Sequence, residues 1–132
     1  MSENQERRAP LETAPPHVGP PHTAPLHTRL WDYIERGRAA GGSKLHLRPG
    51  APPLIRTVEA GERGRLAPVG NGEADVAADE IRVCLSLLIE PERWPHYEAM
   101  GEGETHVASP RGEFFRVALF RSQGDWSLVI EL

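Results

Sequence analysis

Two long runs of alternating character, FFRVALFRS (residues 114–122) and WSLVIEL (residues 126–132), stand three residues apart at the end of the chain. That spacing limits the fold more than anything else in it. A parallel pairing would need a crossover of about a dozen residues, so runs joined by Gln123-Gly124-Asp125 pair only as an antiparallel hairpin. A third run, residues 105–108, precedes 114–122 across a Ser109-Pro110-Arg111-Gly112 turn and makes two adjacent hairpins. Along 114–122 the period of two places Phe115, Val117 and Leu119 on one face. Phe114, Arg116, Ala118 and Phe120 share the other.

The same logic applies to residues 41–56, GGSKLHLRPGAPPLIR. Leu45 and Leu47 alternate with Lys44, His46 and Arg48, the pattern of a half-buried strand. Pro49-Gly50 and Pro52-Pro53 form a turn region, and residues 54–58 read as the partner strand. The Lys-His-Arg face has two readings, a chemical site or the wet side of a first hairpin, where charges deter edge pairing. A short third strand is expected near residues 63–66, after the Ala60-Gly61 turn.

Helices separate these groups. Thr28 is a candidate N-cap for a helix whose stripe is Leu26, Leu30, Tyr33 and Ile34 and whose stop is Gly41-Gly42. Asp79 is a second N-cap; Ile81, Cys84, Leu85 and Leu88 recur at helical spacing, while Val83, Leu87 and Ile89 make this segment apolar nearly all round, as a central core helix would be. Pro91 suits the first position of a third helix that packs Trp94, Tyr97 and Met100 and ends at Gly101. The order of helix, two or three strands, two helices and three strands predicts an α+β domain: an antiparallel sheet with helices on one face.

Residues 1–27 hold six of the thirteen prolines and three of the six histidines with almost no large apolar side chains, so they read as a disordered Pro/His-rich tail. The domain is expected over residues 28–132. His17, His22 and His27 repeat every five residues, a spacing that does not align imidazoles on an extended helix of three residues per turn, so no metal is expected there. At 132 residues the chain holds one core, and a net charge of -4 gives no electrostatic reason to expect nucleic acid. No apolar run approaches membrane-spanning length and the N-terminus lacks a signal-peptide centre, which points to the cytoplasm and no membrane insertion. The single cysteine, Cys84, reads as a small buried hydrophobe.

Chemistry is sparse. GRAAGGSK approaches a phosphate loop, but Ser and Lys stand in the wrong order and the segment leads into a strand rather than a helix. No nucleophile elbow, zinc helix or Cys-x-x-Cys occurs, and His46, His96 and His106 fall in different elements. No catalytic residue and no cofactor are expected. Arg116, set among apolar neighbours, reads as partner-facing or as paired with one of the sixteen acidic residues after Thr28; Arg121 follows it on the same run.

At this point the order of motifs is similar to something specific. Residues 41–56 resemble the G-x-S-D-L-H-L-x-x-G-x-P-P-x-x-R segment near the start of PilT-type type IV pilus retraction ATPases and their type II secretion relatives. PERWPHYEAMGEGETHV resembles that family's arginine, aromatic-glutamate and glycine-glutamate sequence through Arg93, Tyr97-Glu98 and Gly101-Glu102. EFFRVALF resembles its R-F-R-V-N-x-F strand, and SLVIEL its closing strand. The resemblance implies a PAS-like N-terminal domain that packs against a neighbouring subunit's ATPase domain in a ring. The Walker motifs, catalytic glutamate and metal ligands of that second domain have no counterpart here.

Four positions depart from the pattern. Lys44 replaces the family's Asp, Ala118 its strand Asn and Glu131 its closing Arg, and no Arg follows Gln123 at the turn. The family's N-terminal arginines approach nucleotide, and Arg116 alone stands at a clearly matching position. Arg116, Arg121, Arg56 and His46 are the candidates for interface or nucleotide contact. The resemblance thus implies a non-catalytic interaction module whose partner is a pilus or secretion ATPase, or a second copy of itself. The alternatives are a PAS-like small-molecule sensor and a truncated secretion ATPase.

Overall fold

The computed structural model describes residues 19–21, 23–57 and 64–132. Helix α1 (Leu26–Ala39) leads into strands β1 (Gly42–Leu47), β2 (Leu54–Thr57) and β3 (Arg65–Pro68). Helices α2 (Ala78–Leu88) and α3 (Trp94–Met100) follow, then β4 (Glu102–Ala108), β5 (Phe114–Ser122) and β6 (Asp125–Glu131). Among the described residues the strands form one six-stranded sheet in the order β3-β2-β1-β6-β5-β4, every pair antiparallel. The α+β expectation holds.

Both hairpins form where the turn residues demand them. Ser122 and Asp125 are paired across Gln123 (φ 54) and Gly124 (φ 86), a two-residue turn with positive φ at both positions, whose twist matches the flanking strands. The β1–β2 connection turns at Gly50 (φ 80), and Leu45 pairs with Ile55 so that both face inward. The apparent phosphate loop is only the exit of α1 through Gly41 (φ 80) into β1.

Strand parity sorts the sheet into two faces. Leu45, Leu47, Ile55, Val107, Phe115, Val117, Leu119, Trp126, Leu128 and Ile130 point to the side covered by helices, each 0–5% exposed. Against them α1 lays Leu26, Leu30, Tyr33 and Ile34, as its stripe predicts. Trp94 of α3 meets Trp126 with ring centroids 5.2 Å apart.

Several boundaries differ from the sequence reading. The first helix starts at Leu26, with Pro25 preceding it, so Thr28 lies inside its first turn and His27 belongs to the helix rather than to the tail. The second starts at Ala78: Ala77 takes the cap position, and Glu80 accepts the Ala77 N–H at 3.0 Å, while Asp79 sits in the first turn. Pro91 opens a turn ahead of α3. Met100 is 62% exposed rather than packed. The third strand runs over Arg65–Pro68, two residues later than expected; Ala60-Gly61 lies outside the described residues, as do His17 and His22. Strand β4 begins at Glu102, three residues early, because the nine-residue β5 offers pairing along that whole length.

The expectation of a central core helix is also corrected. Helix α2 buries only Ile81, Cys84 and Leu85, and leaves Val83 and Leu87 more than half exposed. Its place is against α1 and β6. The pair is fastened by Arg29, 6% exposed, whose guanidinium donates to Glu80 and to the Tyr33 hydroxyl. No helix among the described residues is long and apolar enough to cross a membrane.

Candidate interaction surface

Among the described residues the second face of the sheet carries no helix. Its residues are those of opposite parity: Leu66, Leu54 and Arg56, Lys44 and His46, Ser127, Val129 and Glu131, Phe114, Arg116, Ala118 and Phe120, and Glu102, Glu104 and His106. Phe114 is 73% and Phe120 42% exposed. They stand towards the two ends of β5, about 20 Å apart at 3.3 Å per residue, on the same face, and large exposed hydrophobics on one face mark contact sites.

Three of the four candidate residues lie on this face. Arg116 donates to both oxygens of Glu104, at 2.8 and 3.0 Å, and stands 3.6 Å from Glu131. Arg116 is thus paired, as one of its two sequence readings has it, and its side chain is half exposed. The Glu104 hydrogen bonds, then the charges of Glu104 and Glu131, raise its pKa further above the ordinary arginine value, so it carries charge at every relevant pH. Arg56 donates to the Gly64 carbonyl at 3.2 Å. Arg121 is the exception. It follows the inward parity and reaches the other side of the sheet, its guanidinium 5.4 Å from the centre of the Trp126 ring. The structure separates Arg121 from the other three.

Two of the departures from the PilT-type pattern meet here. Lys44 and Glu131 are direct cross-strand partners in the β1–β6 register. Opposite charges are thus opposed across this pair of strands. Opposed charges in register contribute about 0.2–1 kcal/mol. Glu131 also supplies Arg116 with its second carboxylate. Lys44, Glu131, Arg116 and Glu104, with Ala118 and Val129 between them, line a depression of about 120 Å³.

His46 sits between Leu54 and Val129 in register, and its Nε2 is buried without a hydrogen-bond partner among the described residues. Burial, then the charges of Arg56, Arg48 and Lys44, holds its pKa below the ordinary 6.5. A depressed histidine binds its proton in the unfolded chain first, so its contribution to stability is present above pH 6.5 and is lost as pH falls below it. The wild-type chain is therefore expected to lose more stability than His46→Gln between pH 7 and pH 5 in urea titrations; equal losses would show that the imidazole titrates as freely as in solvent. Nothing in this setting activates His46 as a base. His106 lies on the same face three strands away in the sheet order, and His96 belongs to α3 on the far side, so the three histidines do not converge. Among the described residues no three His, Cys, Asp or Glu side chains are placed to hold a metal.

Two features escaped the sequence. Glu104 becomes the main partner of Arg116 only through the β4–β5 register, and the Arg29–Glu80 link joins residues 51 apart in the chain. Neither leaves a local signal.

No family model and no curated protein matches this sequence. Solved structures do. The pilus retraction motor PilT with bound ADP superposes with a TM-score of 0.64 at 18% identity, covering 76% of this chain and 28% of that one. The Legionella pneumophila ATPase DotB gives 0.63 at 15% identity over 87% of this chain and 30% of its own. The Yersinia pseudotuberculosis DotB gives 0.59 at 16% identity, over 92% and 33%. The chain spans about a third or less of the length of these structures. At such identities the likeness is one of fold, and in fold the resemblance read from residues 41–56 onward is sustained.

Proposed function

We propose that this chain is a non-catalytic interaction module that binds an ATPase of the pilus-retraction or secretion class, as adaptor or regulator, through the open face of its sheet. The observation that carries the reading is the composition of that face: Phe114 and Phe120 exposed around a guanidinium held in place by two carboxylates. Aromatics and arginine are the residue types that dominate protein–protein contact energies, and a pre-ordered arginine loses less freedom on binding. The fold shared with PilT and DotB supports the choice of partner class.

The sensor reading has less to stand on. Among the described residues the centre of the space between sheet and helices is filled by Leu30, Leu45, Leu47, Ile81, Leu85, Leu128 and Ile130, all 0% exposed.

Binding of the purified chain to a PilT-type ATPase from the same cell, followed by biolayer interferometry, tests the proposal. Phe120→Asp and Arg116→Glu are each expected to weaken binding about tenfold or more, the loss of a contact worth about 1.4–2 kcal/mol. Leu87→Asp, on the opposite side of the molecule, is expected to leave it unchanged. Loss with Leu87→Asp alone would move the interface to α2, and no binding by the wild-type chain would remove the reading altogether.

A further inference from the structure

Strand β4 ends the sheet order and, among the described residues, pairs on one side only, with β5. Two backbone hydrogen bonds fix which of its groups face outward. The Arg121 N–H donates to the Gly101 carbonyl at 2.8 Å, and the Ser109 N–H to the Glu113 carbonyl at 2.7 Å, one at each end of the pair. The register between them is unbroken. By the alternation of an antiparallel ladder, Gly103, Thr105 and Val107 therefore turn their N–H and C=O groups to β5, while Glu102, Glu104, His106 and Ala108 turn theirs away from it. Tyr97 of α3 agrees with that phase, since its hydroxyl reaches the Glu104 carbonyl at 3.1 Å.

The two edges of the sheet are not alike. β3 is four residues long, and it includes Arg65 and Pro68, a charge and a missing N–H that deter a further strand. β4 runs for seven residues without a proline. Among the described residues one of its outward carbonyls is taken, by Tyr97.

Between this edge and α3 lies a depression of about 460 Å³. Arg93 lines it, exposed, with its guanidinium 5.7 Å from the Tyr97 ring centre and donating to the Thr105 hydroxyl at 3.4 Å. Among the described residues Arg93 forms no ion pair. Glu104 spends its carboxylate on Arg116 across the sheet, and Glu92, although it lines the same depression, stands outside ion-pair distance of Arg93. A guanidinium with most of its five donors unused thus sits beside a row of unused backbone groups.

We propose that β4 accepts a seventh strand, an extended segment of another protein that carries a carboxylate side chain abreast of Thr105. Side chains of an added strand alternate as those of β4 do, so the residue abreast of Thr105 turns to the helix side and meets Arg93. Backbone hydrogen bonds to Glu104, His106 and Ala108 supply the attachment, and the charge-assisted pair with Arg93 supplies the selection. The edges of a second copy do not fit. On the helix side β4 shows Gly103, Thr105 and Val107, and β3 shows Arg65 and Ala67, so neither brings a carboxylate to Arg93.

The probe is an acetylated and amidated heptapeptide of alternating threonine and valine whose central valine is replaced by glutamate, compared with its central-lysine counterpart. Each is titrated into the full-length chain and followed by amide exchange in NMR spectra. The glutamate peptide is expected to slow exchange several-fold at residues 104, 106 and 108 and to leave 103, 105 and 107, already bonded to β5, unchanged. It is expected to bind at least tenfold more tightly than the lysine peptide, and Arg93→Glu, a change at an exposed side chain, is expected to reverse that preference. His106→Pro removes an outward N–H without touching the β5 ladder and is expected to abolish binding of both peptides; should that variant fail to fold, the reversal by Arg93→Glu still decides. Absence of binding, equal affinity for the two peptides, or slowed exchange at 114, 116 and 120 instead would overturn the proposal. So would protection of 104, 106 and 108 in the free chain that rises with protein concentration, because a second copy would then fill the edge. None of these readouts involves an ATPase, so the outcome is independent of what binds the open face.

Discussion

Gly103→Ala is expected to lower the melting temperature of this protein by about 10–20 °C, the equivalent of roughly 2–3 kcal/mol in a domain of this size. Gly103 lies in β4 with its missing side chain pointing to the helix side, directly under Tyr97 of α3. A Cβ there would overlap Cδ1 and Cε1 of the Tyr97 ring and stand 3.2 Å from its Cγ. The ring has little freedom to yield. Tyr97 is 4% exposed, and its hydroxyl donates to the Glu104 carbonyl at 3.1 Å, which ties both ends of the side chain to the elements it packs. The added methyl therefore displaces α3 or bends the edge of the sheet, and either response exposes the Trp94–Trp126 contact beside it. Gly103→Ala combined with Tyr97→Leu is expected to cost less than the sum of the two changes, because the flexible leucine removes the collision. A Gly103→Ala protein that melts with the wild type would mean that α3 is not docked through Tyr97.

Gly103 also illustrates why part of this fold was hidden in the sequence. Glu102-Gly103-Glu104 has none of the β-branched or aromatic character of a strand, and it becomes one because β5 continues opposite it and Tyr97 needs a bare backbone to lie on. β3 is similar: all four of its residues are exposed, so no alternation announces it. Helix α2 misled in the other direction. Its apolar residues circle the helix, but among the described residues helices cover one face of the sheet and α2 packs mainly against α1 and β6, so Val83 and Leu87 are left outside. A sequence records that a residue is apolar without recording whether its partner is the core.

What could be read was read from residues whose geometry is local. The stripe of α1, the parity of β1, β5 and β6, and the glycine-bearing turns each follow from two or three adjacent side chains. The likeness to PilT-type motors was legible at under 20% identity for the same reason. Leu45, Leu47 and Gly50 are retained where the first hairpin requires two buried leucines and a positive φ. That Lys44 and Glu131 are neighbours became visible only in three dimensions. Parity likewise put Arg116 and Arg121 on opposite faces, although an arginine at the end of a run could still have been a contact on either side.

Alkaline pH is expected to weaken the fold through one thiol. Cys84 is 1% exposed on the inner face of α2, and burial pushes its pKa up to about 12, with the charge of Arg29 acting in the opposite sense. In the unfolded chain the thiol ionises near its ordinary value of 9.0. The folded pKa is the higher one, so stability is constant below the unfolded value and falls as pH climbs towards 12, by about 1.4 kcal/mol per unit. Between pH 8 and pH 10.5 this amounts to about 2 kcal/mol, a large share of the stability of a small domain. Tyr33, also raised above its ordinary 10.0 by burial, adds to the decline at the top of the range in both proteins compared here. Urea titrations of the wild type and of Cys84→Ala separate the two effects: the alanine protein is expected to start lower, from the lost packing, and to decline less, so that the curves converge as pH rises. Parallel curves would mean that the thiolate is tolerated in the fold, and that α2 opens to water far more readily than its contacts with α1 imply. The same burial makes Cys84 unreactive towards thiol reagents at neutral pH until the chain unfolds, because the attacking species is the thiolate and almost none is present.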